Sequence, residues 1–177
     1  MYSWRKGRGD VMKRAIESAY GFLKYSSPLK TDCGKLCGRQ CCTQENMGML
    51  LFPGEEKLFE NDEDFVIRKD TKGRNLLFCS GRCERKKRPI SCRIYPLFPY
   101  TFESDGEIHQ KVVYDLRGIN SCEMISSHIK TQRSFFASVR KAGKSLLRDK
   151  ECAGLLLDIS LEIDDIIKLN EDIGGLK

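Results

Sequence analysis

Four thiols fall within ten residues in Cys33-Gly-Lys-Leu-Cys37-Gly-Arg-Gln-Cys41-Cys42, and the chain returns to cysteine at Cys79, Cys83, Cys92 and Cys122. Thiolates are soft donors. Dense cysteine beside only two histidines therefore selects zinc or an iron–sulfur cluster and disfavours calcium, magnesium or a non-haem iron triad. His109 and His128, the only imidazoles, read as ordinary polar residues. Setting aside Cys152, which sits on an apolar helical stretch and reads as a small buried residue, eight candidate ligands remain: Cys33, Cys37, Cys41, Cys42, Cys79, Cys83, Cys92 and Cys122. A structural zinc or a cubane cluster takes about four thiolates, so eight are enough for two sites. In extended chain the adjacent Cys41 and Cys42 would point to opposite sides. They should serve different roles, either in two metal sites or with one ligating and the other packing.

The compartment favours metal over disulfides. Met1-Tyr-Ser-Trp-Arg-Lys carries no apolar signal region, and no apolar run is long enough to cross a bilayer, so the expectation is a cytoplasmic protein without a membrane partner. Cytosolic reductants keep thiols open, and the cysteine count of nine is odd. At 177 residues, 40% of them apolar and 32% charged, the chain can bury an ordinary core without a metal staple.

Charge is uneven along the chain. Between Cys79 and Arg93, six cations (Arg82, Arg85, Lys86, Lys87, Arg88, Arg93) face Glu84, a net +5, whereas from Glu151 onward two lysines face seven acids, a net −5. Four thiolates around a divalent metal carry net −2, so the basic run is expected to balance the metal site electrically. The acidic end reads as a solvated helix face.

The positioning elements follow from pattern. Gly9 to Tyr25 reads as an amphipathic helix capped by Asp10. Gly34 and Gly38 argue against one helix through the first cluster and for a tight loop turning N–H groups toward sulfur. Met47 to Phe52 fits a buried strand, and Pro53-Gly-Glu55-Glu56 resembles a helix start with acids at the positive dipole end, running to about Asn61. Hairpins are expected around Asp70-Thr-Lys-Gly73, delivering Cys79 at its end, and around Ser104-Asp105-Gly106. Tyr95-Pro96 and Phe98-Pro99 suggest a rigid arm that packs aromatic rings beside the metal. Helices over Ser126–Arg148 and Glu151–Ile173, joined near Asp149, suggest an antiparallel pair. The expectation is a compact α+β single domain over 1–177. Its core, 26–125, would carry the cysteine-rich site on short β-hairpins, packed against an N-terminal helix and a C-terminal helical hairpin, 126–173.

Cys33, Cys37, Cys41-Cys42, then Pro53-Gly-Glu-Glu, Cys79 and Cys83, Arg88-Pro-Ile-Ser-Cys92-Arg93-Ile-Tyr95-Pro96 and Cys122 together resemble the zinc- or iron-chelating proteins named for a CxxCxxCC cluster. This chain departs from them in placing three residues between successive cysteines of the first cluster. The resemblance implies a compact metal-binding fold; some members are described as iron–sulfur proteins, and a lysine methylase acting on flagellin is similar through its cysteine-cluster part. No glycine-rich nucleotide fingerprint, P-loop or nucleophile elbow is present, and catalytic residues are unknown. Three functions are therefore in view. The first is a metal-binding protein holding one or two zinc ions, or alternatively a [4Fe-4S] cluster, with an unknown protein or small-molecule partner. The second is an iron–sulfur enzyme of redox or methyl-transfer chemistry. The third, not favoured, is a zinc-dependent nucleic-acid-binding module, because the basic run lacks interleaved stacking aromatics.

Overall fold

The structure is a computed structural model that describes residues 10–31, 33–43, 48–79 and 84–172; for residues 10–13, 37, 42 and 43 it describes the backbone alone. Its first helix, α1 (Asp10–Leu23), buries Ala15, Ile16, Ala19 and Leu23, a stripe repeating every three or four residues. That stripe lies along α6 (Arg133–Leu146), whose Phe135, Val139, Ala142 and Leu146 form the facing stripe. Small residues bring the two backbones close enough for the Ser145 hydroxyl to donate to the Ala15 carbonyl at 3.1 Å.

Between these helices in the chain come two antiparallel sheets. The first has the order β1-β3-β2, from β1 (Met49–Leu50), β2 (Phe65–Lys69) and β3 (Asn75–Cys79). Its hairpin turn is organised by Asp70, whose carboxylate accepts from the backbone N–H groups of Lys72 and Arg74 and from Arg74 Nε. The register pairs Phe65 with Cys79, so the hairpin delivers Cys79 at its end as expected. The second sheet is β4 (Leu97–Ser104) on β5 (Glu107–Tyr114), with Asp105 at φ 54° and Gly106 at φ 76° in the connecting turn. Two successive positive φ values match the twist of a tight hairpin.

Strand β4 takes in the Phe98-Pro99 arm. Leu97, Phe98 and Pro99 are all buried in it, and Pro99 pairs with Val112. A two-stranded sheet leaves one side of each strand without a ladder partner, so proline's missing N–H costs nothing there. The preceding Tyr95–Pro96 peptide is cis.

The last helix, α7 (Lys150–Asp172), buries Cys152, Leu155, Leu156, Ile159 and Ile163 in the same core as α1 and α6. Three expectations need correction here. The pattern from Ser126 to Arg148 is interrupted: α5 (Glu123–Ser126) stops before His128, which sits at φ 52°, and α6 begins only at Arg133. The helical hairpin over 126–173 is not the packing unit, because α6 runs along α1 whereas α7 lies along β4, each apolar stripe having found a different partner. There the Ser160 hydroxyl accepts from Thr101 N at 2.8 Å and the Tyr100 hydroxyl donates to Asp164 at 2.7 Å. The acidic end is also not wholly solvated, since Glu162 accepts from Lys72 and Arg74 of the first hairpin. The α+β architecture of helices with small antiparallel sheets stands.

Candidate functional site

The first cysteine cluster folds into two single turns, α2 (Gly34–Cys37) and α3 (Gln40–Thr43). Gly38 at φ 59° caps α2 in the left-handed region, and Arg39 follows at φ 64°. One continuous helix is thus broken as expected, although Gly34 is helical and only Gly38 supplies the glycine conformation. Cys33, just before α2, and Cys41, within α3, are half-buried. The side chains of Cys37 and Cys42, and all of Cys83, lie outside the described residues.

Cys122 joins this end of the molecule from far along the chain. It is buried at the start of α5, with Met124 and Ile125, and Cys33, Leu29 and Tyr95 pack against that group. Tyr95 is the shared neighbour. Burial raises its phenol well above the ordinary range, a Ser121 hydrogen bond opposes this, and the Cys122 and Cys41 sulfurs push it further up. The phenol lies against Gly118, where a Cβ would meet the ring at 2.8 Å from Cζ, so only glycine admits the ring there. The aromatic arm expected beside the thiols is therefore Tyr95 alone, for Phe98 turns into the main core.

Cys92 occupies a second position, half-buried on α4 (Ile90–Ile94). The N-terminus of α4 is held by Glu55, which is wholly buried and accepts from Ile90 N at 2.9 Å, from Phe52 N at 2.8 Å and from the Tyr20 hydroxyl at 2.6 Å. Desolvation pushes the Glu55 carboxyl up to about 7 against the pull of those hydrogen bonds. This corrects the sequence reading of Pro53–Glu56: only a 3-10 turn, Glu56–Leu58, follows, and Glu55 caps a helix distant in sequence instead of starting its own. A glutamate among apolar neighbours such as Leu51 and Phe52 was the one available signal of that role. Cys79 packs with Leu51, Phe59, Phe65 and Leu77 in a small separate core.

Of the basic run, Arg82 lies outside the described residues, and Lys86, Lys87 and Arg93 form local bonds. Arg93 is buried, donates to the carbonyls of Arg88 and Lys86 at 2.7 Å each, and stacks 4.6 Å over the Tyr20 ring. Lys87 pairs with Asp62 at 2.9 Å and Asp64 at 2.8 Å, and Lys86 with Glu84 at 2.7 Å. Arg93 adjoins a described thiol, its neighbour Cys92. Cys152 is a wholly buried thiol in the main core, as its helical setting suggested. His109 stacks on Phe102 at 5.5 Å on the exposed face of the second hairpin.

Among the described residues, no group of three or more cysteine, histidine or acidic side chains converges on a point where a metal could sit. What the fold does show is Cys33 packed on the apolar group of Cys122, and the Cys41 and Cys122 sulfurs near enough to Tyr95 to act on its phenol. No family model, curated protein or solved structure matches the chain.

Proposed function

We propose that this chain is a metal-binding protein whose thiolates hold zinc or an iron–sulfur cluster, in keeping with the resemblance of its cysteine pattern. The observation that supports it most is that Cys33 packs on the small apolar group containing Cys122, and that Tyr95, in the same group, feels the sulfurs of Cys122 and Cys41. Cys33 and Cys41 stay half-buried there, where a thiolate can still meet a metal, although Cys122 itself is buried. Cys33, Cys37, Cys41, Cys42, Cys79, Cys83, Cys92 and Cys122 are the proposed ligands, and Cys152 is excluded by its place in the apolar core. A bound metal would supply a cross-link between the first cluster, α4 and α5, holding thiolates that would otherwise repel. Glu55 and Tyr95 are the positioning residues of this arrangement, the first fixing the start of α4 and the second the approach of α5.

No described helix is long and apolar enough to cross a membrane, and a cytoplasmic setting is part of the proposal because open thiols need a reducing compartment. The local pairing of Lys87 and Arg93 counts against a nucleic-acid surface along the basic run. Anaerobic purification followed by elemental analysis tests the reading. Zinc or iron at one or two sites per chain is expected, brown and bleached by air if a cluster, colourless if zinc. A metal-free protein from anaerobic cells, or full metal content in both Cys37→Ser and Cys122→Ser, would overturn it.

A further inference from the structure

Beside Arg93, between α1 and the turn at Arg85–Lys87, lies a cleft of about 690 Å³. That is within the roughly 300–1,000 Å³ usual for small-molecule sites. It is lined by the apolar Leu58 and Phe59, by Tyr20 and Tyr25, and by Lys24, Lys86 and Glu17 among its charged residues. Of these side chains the metal proposal touches only Tyr20, through its bond to Glu55.

Five cations line the cleft, Lys24, Arg85, Lys86, Lys87 and Arg93, and four of them divide into two kinds. Lys87 and Arg93 are held by carboxylates and carbonyls and serve the fold. Lys24 and Lys86 are exposed, the first lying 5.0 Å over the Tyr25 ring and the second in a surface pair with Glu84 whose partners are 77% and 66% exposed. Such a pair contributes little and is readily exchanged for a stronger anion. Tyr25 is 87% exposed, with the Lys24 ammonium over its ring. Two exposed ammonium groups, an exposed tyrosine ring and the apolar Leu58 and Phe59 along one cleft make a site for an anion attached to a flat ring. Glu17 adds an acceptor in the same cleft for hydroxyl or amino hydrogens.

We propose that this cleft binds a nucleoside monophosphate, with the base stacked on Tyr25, the phosphate between Lys24 and Lys86, and Glu17 accepting from the sugar hydroxyls or the exocyclic amine. Lysine is suited to phosphate as a point charge, and stacking on an exposed ring tolerates any base. The reading does not depend on bound metal.

Titration of the purified full-length chain with AMP, adenosine, inorganic phosphate and a short single-stranded oligoadenylate, followed by calorimetry and by backbone amide NMR, tests it. AMP is expected to bind at least about tenfold more tightly than adenosine or phosphate alone, since only AMP uses both halves of the site. Shifts should concentrate on residues 17–25 and 85–87. Lys24→Ala with Lys86→Ala should weaken AMP about tenfold and leave adenosine unchanged, while Tyr25→Ala should weaken both by about tenfold. These three side chains are exposed, so the variants should fold as the parent does, which circular dichroism checks. AMP no tighter than phosphate, shifts centred elsewhere, or variants that bind like the parent would overturn the proposal. Oligoadenylate bound tenfold more tightly than AMP would overturn it in favour of a single-strand site.

Discussion

Glu55→Gln should change how stability depends on pH, and in a direction opposite to that of most carboxylates. The wholly buried carboxyl is pushed from an ordinary 4.5 to about 7 by desolvation. The folded chain therefore binds this proton more tightly than the unfolded chain does. Its contribution is present in full below 4.5, falls as pH rises from 4.5 to 7, and has reached its floor above 7. At about 1.4 kcal/mol per pKa unit, a rise of this size corresponds to roughly 3 kcal/mol between the two ends of that window. Glutamine cannot titrate, so the difference in unfolding free energy, wild type minus Glu55→Gln, should fall by up to about 3 kcal/mol between pH 4.5 and 7.5. Taking the difference cancels the carboxylates whose partners lower them, such as Glu162. Urea unfolding at half-unit pH steps, on chelator-treated protein so that metal release does not intrude, measures it. An offset at every pH remains, because an amide in place of the carboxylate must turn a donor toward Phe52 N, Ile90 N or the Tyr20 hydroxyl. A difference that stays constant with pH, or grows as pH rises, would refute the assignment of a desolvated, protonating Glu55.

Gly118→Ala should drive Cβ into the Tyr95 ring and cost about 1–3 kcal/mol, with metal content falling if Tyr95 positions the thiols; unchanged stability and metal would remove that role. Cys152→Ala should keep full metal content by elemental analysis and lower stability only by about 1 kcal/mol, the scale of a small buried group. Arg74→Ala breaks bonds to Asp70 at 2.7 Å and Glu162 at 2.6 Å and should cost about 1–3 kcal/mol at neutral pH. Burial works against the Glu162 carboxylate, but Lys72 and Arg74 hold it below its ordinary value, so that cost should shrink as pH falls through the carboxylate range, read from thermal melts. Chelation should lower hydrogen-exchange protection around Leu76–Cys79 and Ile90–Ile94 while sparing α6 and α7, whose apolar stripes pack without metal; equal protection with and without chelator would make the metal peripheral.

Periodicity and turn chemistry are local, and they made much of the fold legible. The stripe of α1, both hairpins with their Asp70 and Asp105-Gly106 turns, the break at Gly38 and the burial of Cys152 all follow from residues within a few positions of one another. Type and spacing of the thiols suggest a chemistry but not their grouping, which depends on contacts between distant segments, as where Cys33 packs on the apolar group of Cys122. The same reason explains the errors. Amphipathic stripes on α6 and α7 state that each has a buried face, but not that α1 and β4 would cover them in place of each other. An acid after Pro53-Gly54 satisfies a local rule for a helix start, yet its carboxylate is decided by Tyr20 and Ile90, each thirty-five residues away. Charge along the run from Cys79 to Arg93 is likewise additive in sequence, whereas tertiary structure assigns Lys87 to Asp62 and Asp64 and Arg93 to two carbonyls, because a cation binds the acceptor nearest in space.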